Sequence, residues 1–246
     1  MGHNAPRPSR YDGQTWQTFT TADGLPIDFI NTIFEDDNAN LWFGTFLGLT
    51  RFDGETWTTF TTEDGLADFS VSHLAQTTDG TVWARTALGV SAFNGETWTT
   101  FTAEDGFPLS TPTAFIGSRD GALWMATETG GVARYANDQW TTFTSANGLA
   151  SDASNHLVDS AAGLWVVSGG GLGRLPPAVS RYDGQQWTTY TLKDFGGNIV
   201  SSLLQTADDT LRAATSDGAL GRFDGQAWVE FTRDNGLDGQ RVNALL

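Results

Sequence analysis

The sequence predicts an all-β chain made of six copies of one four-stranded unit, and three observations carry that prediction. A tryptophan returns at Trp16, Trp57, Trp98, Trp140, Trp187 and Trp228, with spacings of 41, 41, 42, 47 and 41 residues. A second anchor lies between these positions, in LWFGT (41–45), VWART (82–86), LWMAT (123–127), LWVVS (164–168) and the degenerate LRAAT (211–215). No window keeps an apolar period of 3.6 residues, whereas short extended runs are punctuated by Asp-Gly pairs, the strongest short-range hairpin signal. A period of about 41 residues with four strands per copy is what a blade of a β-propeller requires.

The first copy shows the pattern, with extended segments at DFINTIF (28–34), LWFGT (41–45), LTRF (49–52) and TWTTFT (56–61). The connections are DDNAN (36–40), Gly48, Asp53-Gly54 and Asp64-Gly65. In the outermost segment Trp57 and Phe60 are three apart, so on a strand they project to opposite faces. A two-layer sandwich would leave one of them in water, but a blade held between two neighbours buries both. The threonines between them are β-branched and suit the same strand.

Counting segments predicts six blades of four antiparallel strands, with a composite closing blade made from both termini and lacking one strand. The chain opens on a third-and-fourth-strand pair, SRYDGQTWQTFT (9–20), and ends on a first-strand segment, RVNALL (241–246), but the second-strand anchor occurs five times. Three outcomes are open: a three-stranded closing blade, a chain cut from a longer array, or strand donation by a partner. Residues 1–8 are expected to be a flexible lead-in or tag remnant, and 9–246 one propeller domain. Copy four carries the insertion GRLPPAVSRYDG (173–184), in which Pro176-Pro177 should break or divert the third strand.

Composition narrows the functional classes. A net charge of -16 and a pI near 4.2 argue against nucleic acid, whose phosphates need basic patches, and against anionic membrane surfaces. No apolar run is long enough for a transmembrane helix. The absence of cysteine removes disulfides, thiolate metal sites and cysteine nucleophiles.

The pattern running from Asp23-Gly24-Leu25 through LWFGT and Gly48-Leu49 to Asp53-Gly54 resembles the two-component regulator propeller repeat, and the likeness extends over nearly the whole chain. That resemblance implies a toroidal propeller in a family whose best understood members are extracytoplasmic sensor modules of bacterial signalling proteins, some of them recognising glycan fragments. It also implies a secreted or periplasmic location. The chain departs from those sensors in showing no membrane helix, histidine-kinase region or DNA-binding region.

In a propeller the connections from the fourth strand to the next first strand, and from second to third strand, emerge together. By fold analogy this edge holds ligands. Here it carries Asp23, Asp64, Asp105, Asn147 and Asn235, together with the loops FLG, ALG, ETGG, SGGG and SDGA, where Gly169 to Gly171 permit close approach to a ligand. Residues that break the repeat call for a reason beyond packing. Arg85 stands in the column of Gly44, Ala126, Val167 and Ala214, and Arg212 replaces the second-strand tryptophan. A buried arginine there needs a carboxylate, with 29 acidic residues available, or an anionic ligand.

His73 and His156 share a first-strand column, two blades apart, where they could serve as acid and base or as metal ligands; with no third ligand at fixed spacing, polar packing is the simpler reading. The adjacent column, Asn31, Ser72, Thr113, Asn155, Ser201 and Asn243, is polar in every copy. Strand alternation should keep the two columns on opposite faces, and the uniformly polar one is expected to line the channel. The ligand-binding candidates are therefore Arg85, Arg212, His73, His156, Asn31, Asn155 and Asn243. Asp36-Asp37-Asn38-Ala39-Asn40 resembles the start of a calcium loop but lacks its glycine and terminal glutamate, so it reads as a hairpin. No metal, cofactor or catalytic constellation is assigned. The reading is a noncatalytic module recognising a glycan or a protein. The alternatives are a propeller lyase or hydrolase at the channel mouth, with His73 or His156 as base, and a structural or designed repeat scaffold without a ligand.

Overall fold

The computed structural model describes residues 7–108, 110–168, 178–191, 200–206, 210–215, 220–224 and 228–231. In chain order the strands are β1 Ser9–Tyr11 and β2 Trp16–Thr18; β3 Thr32–Glu35, β4 Leu41–Thr45, β5 Gly48–Phe52 and β6 Trp57–Phe60; β7 Val71–Gln76, β8 Val82–Thr86, β9 Val90–Phe93 and β10 Trp98–Phe101. They continue as β11 Pro112–Gly117, β12 Leu123–Thr127, β13 Val132–Ala136 and β14 Gln139–Phe143; β15 Ser154–Ser160, β16 Gly163–Ser168, β17 Ala178–Tyr182 and β18 Trp187–Thr191; β19 Val200–Gln205, β20 Leu211–Thr215, β21 Leu220–Phe223 and β22 Trp228–Phe231. They build the four-stranded sheets β3–β6, β7–β10, β11–β14, β15–β18 and β19–β22, each in sequential order, and the two-stranded sheet β1–β2. These meanders are the blades of an all-β propeller fold. Among the described residues helix is limited to the three-residue 3-10 turns Ala103–Asp105 and Ser145–Asn147.

The expected first segment is shorter than predicted: β3 starts at Thr32, because Asp28 turns away to pair with Arg7 at 3.3 Å and to accept a hydrogen bond from Thr21 N–H. The closing segment 241–246, Asn235, Asn243, Gly169 to Gly171 and Pro176-Pro177 lie outside the described residues.

The chain divides into two compact units, residues 1–109 with 120–123, and residues 110–119 with 124–246. In the first, the outer-strand aromatics behave as predicted. Trp57 packs towards the preceding sheet, its ring 5.4 Å from Phe19, and against Phe52 at 4.5 Å. Phe60 packs the other way, 5.9 Å from Trp42 and 5.3 Å from Phe93 of the next sheet. Trp42, Leu49, Leu66, Val71, Leu74 and Phe93 form the buried cluster between those two sheets. Gly44 is required there: a Cβ would meet Thr32 Cγ2 at 2.6 Å and Val71 Cγ1 at 2.9 Å. Trp16 departs from the pattern, being 71% exposed, with its ring 5.0 Å from Tyr11 of the same sheet at an interplanar angle of 31°.

The second unit repeats the scheme. Trp165 contacts Phe223 at 4.8 Å and Trp228 at 6.4 Å, with Val179, Leu203 and Leu211 completing the cluster.

In three sheets a polar residue at the end of the first strand, or one past it, satisfies the buried indole of the second. Trp42 Nε1 donates to Asp36 Oδ2 at 2.8 Å, Trp83 Nε1 to Thr77 Oγ1 at 3.0 Å, and Trp165 Nε1 to Ser160 Oγ at 3.1 Å. In three sheets an arginine of the third strand lies over the indole ring, with Arg51 5.8 Å from Trp42, Arg134 5.5 Å from Trp124 and Arg181 5.9 Å from Trp165.

Candidate functional site

The uniformly polar column sits on a bulge. Register slips by one residue between Val71 and His73, between Ser154 and His156, and between Val200 and Ser202. In β3 the equivalent irregularity shows as Asn31 N–H donating to Gly44 O at 2.8 Å, where Thr32 is already paired with Gly44. The extra residue resets strand alternation, so the expectation that the two columns must point oppositely does not hold. Asn31 Nδ2 donates to Val71 O at 3.0 Å on the next sheet, and Thr113 Oγ1 donates in the same way to Ser154 O. The column clips one sheet to its neighbour. Ser72 instead turns back to its own sheet and donates to Arg85 O at 3.2 Å. Asn155 lies exposed on the bulge of β15.

Arg85 is 5% exposed. Among the described residues it has no carboxylate within ion-pair range, contrary to the expectation of a structural pair. Its charge is offset by Nη1 donating to Gly89 O at 3.3 Å and by the face of Phe107, whose centroid is 5.2 Å from the guanidinium carbon; Nε has no acceptor. Across the β7–β8 ladder it pairs with His73, whose Nδ1 is 3.0 Å from Ser72 Oγ. Burial first, and the Arg85 charge second, hold His73 below its ordinary pKa. Arg85 and His73 thus set a buried cation beside an imidazole biased towards its neutral form, bringing two of the candidates together in the first unit.

His156, exposed on β15 in the second unit, is also held below its ordinary value by desolvation of its ring, with a hydrogen bond to the Leu203 backbone partly opposing. Arg212 is exposed, so water solvates it and the expected need for a buried counterion disappears. It faces Arg222 in the register where other sheets oppose tryptophan to arginine.

The loop-edge carboxylates serve their own turns. Asp64 Oδ2 accepts from Thr61 N–H at 2.8 Å, and Asp23 and Asp105 do the same for Thr20 and Thr102; Asn147 Oδ1 takes this place for Thr144. The calcium-like stretch is a hairpin: Asp36 accepts from Asn38 N–H, Asn40 N–H, Asn40 Nδ2 and Trp42 Nε1. Burial acts to raise its pKa, but those hydrogen bonds outweigh it and hold the carboxyl below the ordinary value.

Two features went unassigned by the sequence reading. A cavity of about 520 Å³ in the second unit opens at the opposite edge, lined by Ser160, Trp165, Arg181, Thr210, Arg222 and Phe223 among others; Arg181 Nε is already committed to Ala162 O at 2.7 Å. None of the six candidates among the described residues lines it. On the loop edge of the first unit, Phe29, Phe46, Leu47, Phe69 and Leu88 are exposed, with Phe29 and Phe46 stacked at 5.5 Å. The signal for them was present in FLG and ALG, where other copies carry ETGG and SDGA.

No curated protein sequence matches the chain. Solved structures share its fold. The extracellular domain of a hybrid two component system from B. thetaiotaomicron superposes with a TM-score of 0.62 at 17% identity, over 91% of this chain and 32% of that one. A catalytically inactive virginiamycin B lyase from Staphylococcus aureus with quinupristin gives 0.59 at 15%, over 81% and 68%. YCF48 bound to D1 peptide gives 0.55 at 19%, over 86% and 69%. The chain spans about a third of the length of the sensor ectodomains it matches. The family model that matches is the two component regulator propeller, at residues 24–46. Those residues are a two component regulator propeller repeat, and the chain that carries them has a β-propeller fold.

Proposed function

We propose that the chain is a noncatalytic, extracytoplasmic recognition module that binds a glycan or a protein on the loop edge of its sheets. One observation carries the reading: Phe29, Phe46, Leu47, Phe69 and Leu88 are exposed on loops whose packing does not require apolar side chains. The location draws support from the fold shared with extracellular sensor domains. Neighbours of the same fold, a lyase with quinupristin and YCF48 bound to D1 peptide, are in keeping with this reading. Calorimetry against a panel of neutral oligosaccharides and short peptides tests the reading. Heat of binding that disappears when Phe46 is replaced supports it, and silence across the panel leaves a scaffold.

A second reading, a propeller lyase, has one observation in its favour. His73 and His156 are both shifted towards the neutral form that a general base needs. Turnover that is lost in His73→Ala or His156→Ala would establish it; equal turnover in both variants and the parent removes these residues from any mechanism.

A further inference from the structure

The loop edge of the first unit combines exposed apolar groups with a surplus of negative charge. Its connections are residues 19–31 between β2 and β3, 46–47 between β4 and β5, 61–70 between β6 and β7, and 87–89 between β8 and β9. Phe29 and Phe46 stack on one another at an interplanar angle of 25° while remaining 44% and 52% exposed. Phe69 and Leu88 stand on the corresponding loops of the next sheet, which is joined to the first by the Asn31–Val71 hydrogen bond.

The repeat does not demand these side chains. The position of Phe46-Leu47 is held in the sheet β11–β14 by Glu128-Thr129, and the fold forms there without an apolar tip. The same four connections contain Asp23, Asp28, Glu63, Asp64 and Asp68 and neither lysine nor arginine. Arg7 reaches Asp28 from outside these loops and the buried Arg85 donates to Gly89 O within them, which against five carboxylates still leaves the edge with a surplus of negative charge. A surface of aromatic and aliphatic tips among carboxylates repels anionic ligands and favours a partner that carries both cationic and apolar side chains.

We propose that this edge binds a basic, amphipathic peptide segment of a partner protein, with Phe29 and Phe46 as the apolar anchor and Glu63 and Asp68 as the electrostatic guide. This rests on the recognition reading above and names its ligand class. Cationic side chains would lie against the aromatic faces and the carboxylates, while leucine or phenylalanine residues cover Phe46, Leu47 and Leu88.

The test titrates a fluorescently labelled peptide, alternating lysine with leucine and phenylalanine, into the full chain at low and high salt. A neutral oligosaccharide and a neutral polar peptide of equal length run alongside. The expected result is saturable binding of the basic peptide alone, weakened about tenfold by Phe29→Ser with Phe46→Ser. Glu63→Lys should weaken it severalfold, as should raising salt. Because these side chains are exposed, melting temperatures should match the parent, which separates lost binding from lost fold. Equal binding by parent and variants would overturn the inference. Binding of the oligosaccharide with the same dependence on Phe46, without the peptide, would overturn it while leaving the recognition reading intact; silence for all three ligands would remove both.

Discussion

Asp36 shows how a residue that looks like a ligand becomes structural. Its carboxylate gathers donors from Asn38, Asn40 and Trp42, and it holds the N–H of an indole that is 1% exposed. Asp36→Ala should therefore cost about 1–3 kcal/mol, since it strands a buried donor; urea unfolding measures it, and a loss near zero would mean that water replaces the carboxylate. Arg85 makes the opposite case. The break it makes in the repeat was legible in the sequence, but its partner was not, because a carbonyl and an aromatic ring leave no charge pattern along the chain. Its burial without a carboxylate is a desolvation cost that packing must offset, so Arg85→Met should keep the contact with Phe107 and leave stability within about 1 kcal/mol of the parent or above it. A loss of several kcal/mol would show that the guanidinium is better compensated than its contacts suggest.

At the scale of strands and sheets, the spacing of aromatic residues carried most of the information. Trp57 and Phe60 project to opposite faces, and each meets the sheet that the three-residue offset predicts. Trp57→Ala should cost about 3–5 kcal/mol by opening a cavity against Phe19, Phe43 and Phe52. Trp16→Ala, at the same repeat position but exposed, should fall within about 0.5 kcal/mol of the parent. Thermal melts of the two variants compare them directly, and equal losses would mean that the Trp16 indole is covered in solution. The bulges of the first strands were not legible. A one-residue slip changes no residue type, and the column Asn31, Ser72, Thr113 and Asn155 reads as a polar stripe whether it faces solvent or staples sheets. Asn31→Ala tests the staple: losing the bond to Val71 O should cost about 1 kcal/mol without any change in ligand binding.

For the molecule as a whole, repetition made the fold legible and the candidate site much less so. Six near-copies overdetermine packing, whereas exposed tips such as Phe46 and Leu88 differ from their counterparts by one or two residues each. What the whole chain adds is a pH response. His73 and His156 both have pKa values depressed in the folded state, chiefly by desolvation, with the Arg85 charge adding to it at His73 and the Leu203 hydrogen bond opposing it at His156. A depressed folded value means that the unfolded chain binds the proton better. The associated stability is therefore complete above the unfolded value of about 6.5 and is lost as pH falls through the folded values. Most carboxylates stay ionised across this range, so the fall should belong to the histidines, and Asp36 should add its own loss only at more acidic pH, below the ordinary carboxylate range. The double variant His73→Gln with His156→Gln should flatten the melting temperature between about pH 7 and pH 5 while leaving the steeper acid limb in place. High salt should raise the curve most near pH 7, where the net charge is -16, and progressively less towards the pI near 4.2. A double variant with the parent's slope would show that neither imidazole is desolvated enough to matter, and the second reading would lose the shift that favours it.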